Sequence, residues 1–152
     1  MLRDSITIGQ RHQRFIETIC KTQIIYALKD SKGFTTSISN DYKTEDGDEA
    51  MLICFWSEAA MAKALISKEW INYKVEEISL ANFLENQCIG MYNDETYAGT
   101  NFDLNLFGFE SAPLEPALEL INEIKKHNYE VPLRNYDSTE EYETCLKQDL
   151  EE

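Results

Sequence analysis

Two histidines and four cysteines are the side chains of this chain best suited to catalysis or metal binding, and their spacing decides what they can do. Cys20, Cys54, Cys88 and Cys145 form no C-x-x-C pair and have no histidine at ligand spacing, so neither a zinc site nor a redox dithiol is expected. A cysteine nucleophile needs a base within hydrogen-bond reach. Only Cys20 and His12 are close in sequence, and eight residues of one helix hold them roughly 12 Å apart, too far for proton transfer. Each cysteine lies among apolar neighbours and reads as a small buried hydrophobe. The even spacing of Cys20, Cys54 and Cys88 suggests a repeat, but the windows around them agree in little else.

Carboxylates offer more material and less pattern. With Gly47 as the sixth position of a calcium loop, Tyr42 would be first and Ile53 twelfth, where an acid and a bidentate Glu are required, so the acidic loop is not an EF-hand. Glu123 and Lys125 with upstream Asp103 faintly resemble a nuclease metal site, yet they fall on a predicted helix of an acidic chain. A P-loop, a dinucleotide glycine fingerprint, G-x-S-x-G and H-E-x-x-H are all absent from the sequence. No catalytic residue, metal or cofactor is therefore assigned.

The aromatic residues are the remaining candidates. Trp56 and Trp70 bracket an alanine-rich run, "WSEAAMAKALISKEW". Alanines let a helix approach a sheet closely, with the indoles closing the gaps at either end, so the pair reads first as core. The alternative is a ligand pocket around Trp56, Trp70 and Tyr73.

These residues are positioned by a mixed set of predicted elements. Thr7 to Lys21 is a helix with Phe15, Ile16, Ile19 and Cys20 on one face. Ile24 to Ser39 reads as a hairpin around a Gly-containing turn. "NDYKTEDGDEA" is a polar loop, and "MLICFW" a strand buried on both faces. Ser57 is the expected N-cap of a helix with Ala62, Leu65 and Ile66 inward. Ser79 caps a second helix, whose Leu80, Phe83, Leu84, Cys88 and Met91 share a face. Strands follow at Thr96 to Phe102 and Leu104 to Glu110, joined by a turn at "NFD". A helix then opens at Pro113 and Pro116, with Ala117, Leu120, Ile121 and Ile124 inward. "NYEVPLRNYD" is a connector, and Ser138-x-x-Glu141 a capping box before a short final helix carrying Tyr142, Cys145, Leu146 and Leu150. Helices and strands mix without βαβ alternation, which predicts an α+β fold, a single compact domain of mainly antiparallel sheet with packed helices. Residues 1–128 form that domain, and 129–152 an acidic C-terminal extension with a short helix.

Charge is the strongest global feature. The 152 residues carry 28 acids against 14 Lys and Arg, a formal −14. Asp41 to Glu49 has five acids and one Lys, net −4, and Asp137 to Glu152 has seven acids and one Lys, net −6. Such a surface repels nucleic acid and anionic membrane and attracts basic proteins. Unpaired cysteines and an N-terminus too polar for a signal peptide point to the cytoplasm. Oligomeric state is left open.

Beyond these readings, the chain resembles the DUF2750 family, small bacterial proteins of unknown function. The resemblance rests on Arg11 and Phe15, on Tyr26, Leu28, Asp30 and Gly33, and on Phe55, Trp56, Ala60 and Ala64. It is densest at Glu69, Trp70, Tyr73, Ile78, Leu80, Phe83, Leu84 and Glu85. It covers about Arg11 to Glu110. Cys54 and Ser57 stand where prolines are common, and Tyr26 where Trp is. The resemblance implies the helix–hairpin–strand–helix order above and brings no catalytic residues. The expected function is non-catalytic protein binding, in its most concrete form an acidic immunity-type inhibitor of a basic toxin. The candidate partner-binding residues are Tyr42, Asp46, Asp48, Glu49, Tyr136 and Tyr142. The alternative is a small-molecule-binding protein or enzyme using the tryptophan pocket.

Overall fold

The computed structural model describes residues 5–43, 47–66, 71–104 and 107–151. Helix α1 (Ser5–Thr22) buries the predicted face of Phe15, Ile16, Ile19 and Cys20. Gln23 ends it in the left-handed region, its N–H donating to Ile19 O at 2.7 Å. Strand β1 (Ile24–Asp30) then turns where the Asp30 carboxylate accepts from the N–H groups of Lys32 and Gly33. Gly33, at φ 137°, supplies a backbone angle closed to other residues.

The expected hairpin holds only at that turn. Strand β2 (Gly33–Phe34) is two residues long, and β3 (Thr36–Lys43) leaves to pair with β4 (Glu49–Phe55). The far side of β1 is taken by β5 (Lys74–Ser79), which pairs with it antiparallel from Ile24–Ser79 to Lys29–Lys74. Between β4 and β5 lies only a short helix, α2 (Ala59–Lys63). Ser57 does not cap it. The Ser57 hydroxyl and N–H are engaged instead by Asn101, and Glu58 takes the N-cap position without a side-chain bond.

The second predicted helix is present as α3, residues 80–93, with Ser79 Oγ accepting from Asn82 N as expected of a cap. Its middle, Phe83–Gln87, is a π-helical turn, flanked by α-helical Leu80–Asn82 and Cys88–Asn93. Strand β6 (Tyr97–Thr100) runs parallel to β4 and antiparallel to β7 (Phe109–Ser111). Both strands are shorter than predicted; β6 ends at Asn101, which enters the left-handed region at φ 48° while its N–H still donates to Phe55 O at 2.9 Å. Helix α4 (Glu115–His127) stops at left-handed Asn128, and α5 (Thr139–Glu151) begins where Ser138 Oγ accepts from Glu141 N.

The fold is α+β. Strand order is β2-β1-β5 in one sheet and β3-β4-β6-β7 in the other, with one parallel pair. Paired N–H···O bonds between Tyr26 and Trp56, at 2.9 and 2.8 Å, stitch the two sheets together. The larger core lies between the strands and helices α1, α3, α4 and α5, and includes Tyr142 and Leu146 of the last helix. The smaller one, on Leu28, Leu52, Cys54, Trp56, Ala62, Leu65 and Phe102, lies under α2. Strand β4 is not buried on both faces throughout, since Met51 is 44% exposed.

Candidate functional site

The histidine closest in sequence to Cys20 is a buried polar side chain with partners on two other elements. His12 is buried, stacks on Phe109 with ring centroids 4.1 Å apart, and is held at both nitrogens. Nδ1 lies 2.7 Å from Thr100 Oγ1, and Nε2 lies 2.9 Å from each oxygen of Glu119. A hydroxyl, an imidazole and a carboxylate in line have the form of a nucleophile–base–orienter relay. Thr100 is 1% exposed, however, so no substrate carbonyl has a path to its oxygen. The relay instead ties α1 to β6 and α4. Beside it, Asn101 accepts from Ser57 N at 2.9 Å and donates to Arg11 O, and Arg11 pairs with Asp103 at 3.5 Å.

The cysteines are free thiols. Burial, with a smaller push from Glu123, raises the Cys20 pKa to about 12, and burial near Glu110 does the same for Cys54. Burial also drives Cys88 well above the ordinary thiol range. All three stay protonated and unreactive. Among the described residues no group of three His, Cys, Asp or Glu side chains is placed to hold a metal.

The aromatic candidates divide. Trp56 is fully buried in the smaller core and its Nε1–H donates to Phe102 O at 3.0 Å, the role expected of a packing residue. Tyr73 packs half-buried against the same cluster, and Trp70 lies outside the described residues. Tyr142 is not offered to a partner: it is fully buried, and its hydroxyl donates to Leu84 O across from α3. Tyr136 packs edge-on against it at 5.0 Å, half-buried. Tyr42 is half-buried and stacks on Tyr97 at 4.3 Å. Asp48 and Glu49 are exposed, and Asp46 lies outside the described residues.

Two surface features had no signal in the sequence because pairing and connection create them. Ile38 on β3 and Met51 on β4 are direct register partners, 55% and 44% exposed. Met51 shares one face of β4 with Ile53 and Phe55, which pack into the larger core, so the uncovered pair is the exposed end of that sheet face. The second feature is a polar groove of about 780 Å³ between the start of α3 and the connector before α5. Its wall is fixed by Glu85, a residue of the π-helical turn. The Glu85 carboxylate, itself buried, accepts from the N–H groups of Arg134 and Asn135.

The packing residues Phe55, Trp56, Ile78, Leu80, Phe83 and Leu84 fall inside residues 12–120, which match the model of the family described as a protein of unknown function, DUF2750. The chain belongs to the DUF2750 family. Comparisons with curated proteins and with solved structures find no match. In this DUF2750 protein the matched stretch ends inside α4, yet Glu85 within it bonds to residues 134 and 135 beyond it.

Proposed function

We propose that this DUF2750 protein acts by binding a basic protein, in the simplest case a toxin that it masks, on the β3–β4 ribbon. The observation that carries the reading is the exposed Ile38–Met51 pair, adjacent across the strands and standing beside exposed Asp48 and Glu49. Uncovered apolar pairs at a sheet edge favour association, and flanking acids select a cationic partner and speed its capture. Among the described residues strand β3 stands last in its sheet order, an edge position of the kind that accepts an added strand. The histidine relay and the three buried thiols, Cys20, Cys54 and Cys88, are committed to internal contacts, which supports a non-catalytic role. Four free cysteines favour a reducing cytoplasm as its setting, and among the described residues no helix is long and apolar enough to cross a membrane.

The test is capture from host lysate with the tagged chain at increasing salt, followed by association kinetics with the isolated partner. A basic protein is expected, weakened by salt. Charge reversal at Asp46, Asp48 and Glu49 slows association, and Ile38→Ser with Met51→Ser speeds release. Retention indifferent to salt and to both sets of changes would overturn the reading, as would the capture of nothing.

A further inference from the structure

The polar groove carries a second, independent inference. Its free charges are of opposite sign and come from different segments: Glu77 from β5 and Arg134 from the connector. Both are exposed, and among the described residues neither takes part in an ion pair, so both remain available to a ligand. The same groove is lined by groups able to donate or accept: the Ser79 hydroxyl and the amides of Asn82, Asn86 and Asn135. The Asn86 and Asn82 side chains are already bonded to one another and present a fixed edge. Glu85 accepts from the backbone N–H groups of Arg134 and Asn135, so the connector that carries the Arg134 side chain is set before any ligand arrives. Glu85 belongs to the π-helical turn Phe83–Gln87, and such turns recur at functional sites.

An apolar ligand would leave these groups desolvated and unpaired, and a purely anionic one would meet Glu77. A molecule with an ammonium and a carboxylate on one backbone satisfies both charges, and the amides suit a peptide unit between them. We propose that the groove binds a zwitterionic amino-acid backbone, with Arg134 on the carboxylate and Glu77 on the ammonium. The volume of about 780 Å³ favours a short peptide over a single amino acid.

The experiment is a titration of the full chain with the dipeptide Ala-Ala, read by amide chemical shifts. Saturable shifts at Ser79, Asn82 and Asn135 are expected. Acetylating the dipeptide amine or amidating its carboxylate should each weaken binding roughly tenfold or more, the value of a charged hydrogen bond. Glu77→Gln should lose affinity for Ala-Ala and none further for the acetylated form, and Arg134→Gln should behave likewise with the amidated form. Free alanine separates the two sources: equal affinity assigns a free amino acid, weaker affinity a peptide, and both sustain zwitterion binding. No saturable shift in the groove, or capped dipeptides binding as well as free ones, would overturn the proposal.

Discussion

Truncating Tyr142 tests whether the C-terminal segment is part of the domain. The family match ends at residue 120, yet Tyr142, on α5, is 0% exposed and shares the larger core with Leu84, Cys88 and Met91 of α3. A buried aromatic removes about 150–250 Å² from water, which at ~25 cal/mol per Å² is about 4–6 kcal/mol as an upper bound. Measured truncations of buried aromatics to Ala fall at about 3–5 kcal/mol. The hydroxyl contributes separately through its bond to Leu84 O, and Tyr142→Phe should cost about 1 kcal/mol. The ring therefore outweighs the hydroxyl several-fold. Urea unfolding followed by tryptophan fluorescence reads both variants, with fully buried Trp56 as reporter. Against a total stability of about 5–15 kcal/mol, Tyr142→Ala should shift the midpoint strongly and Tyr142→Phe slightly. A Tyr142→Ala variant within about 1 kcal/mol of the parent would refute the reasoning and make α5 an appendage. Equal losses in the two variants would put the energy in the hydroxyl instead.

Thiol labelling with a disulfide reagent should modify half-buried Cys145 in the native state and leave Cys20, Cys54 and Cys88 until denaturant is added; rapid native labelling of Cys54 would show that the smaller core opens. Gly108→Ala should destabilise by about 1–3 kcal/mol, because the added Cβ would lie 2.8 Å from Thr100 O and closer still to the Phe102 ring; thermal unfolding measures it, and an unchanged midpoint would mean that the loop yields. The Glu143 carboxyl is held below its usual range by the hydrogen bond from Lys125, with Lys147 adding to it. Its folded pKa is therefore below its unfolded one, so its contribution is present above the carboxylate range and lost as pH falls through it. The stability gap between the parent and Glu143→Gln should close on acidification, and a gap independent of pH would count against that pairing.

Much of the fold could be read from residue pattern. The apolar faces of α1, α3 and α4 and the Ser79 and Ser138 caps are local signals, set by neighbours three or four residues away, although Glu141 reaches back to Asp137 N and not to the Ser138 N–H of a full capping box. Strand β5 carries no clear signal in "KVEEIS", which exposes Lys74, Glu76, Glu77 and Ser79 and fully buries Ile78 alone. Its pairing with β1 supplies what its composition does not. Ser57 has the right type for a cap, but its hydroxyl is claimed by Asn101, 44 positions away. Local propensity gave way there to a long-range bond. The split of the hairpin into β2 and β3 has the same origin, since β4 offers β3 a longer partner than β1 does.

The same distance argument separates a constellation from a site. His12 joins Thr100 and Glu119 over 88 and 107 positions, a relay no spacing rule would propose. Its geometry alone would nominate a nucleophile. Accessibility decides otherwise, because an atom that no substrate reaches can only hold the fold together. The converse holds at the surface. Ile38, Met51, Glu77 and Arg134 are unremarkable in sequence, and they gain meaning only where the fold pairs the first two across strands and brings the last two to one groove, all four exposed. Function in this DUF2750 protein is therefore best sought where packing has left groups unsatisfied. The ribbon and the groove make opposite predictions. The ribbon should bind through apolar contact and respond to Ile38 and Met51, whereas the groove should bind through paired charges and ignore them. A variant that abolishes one activity and spares the other would establish two sites, and a shared loss would show that one of them acts through the other.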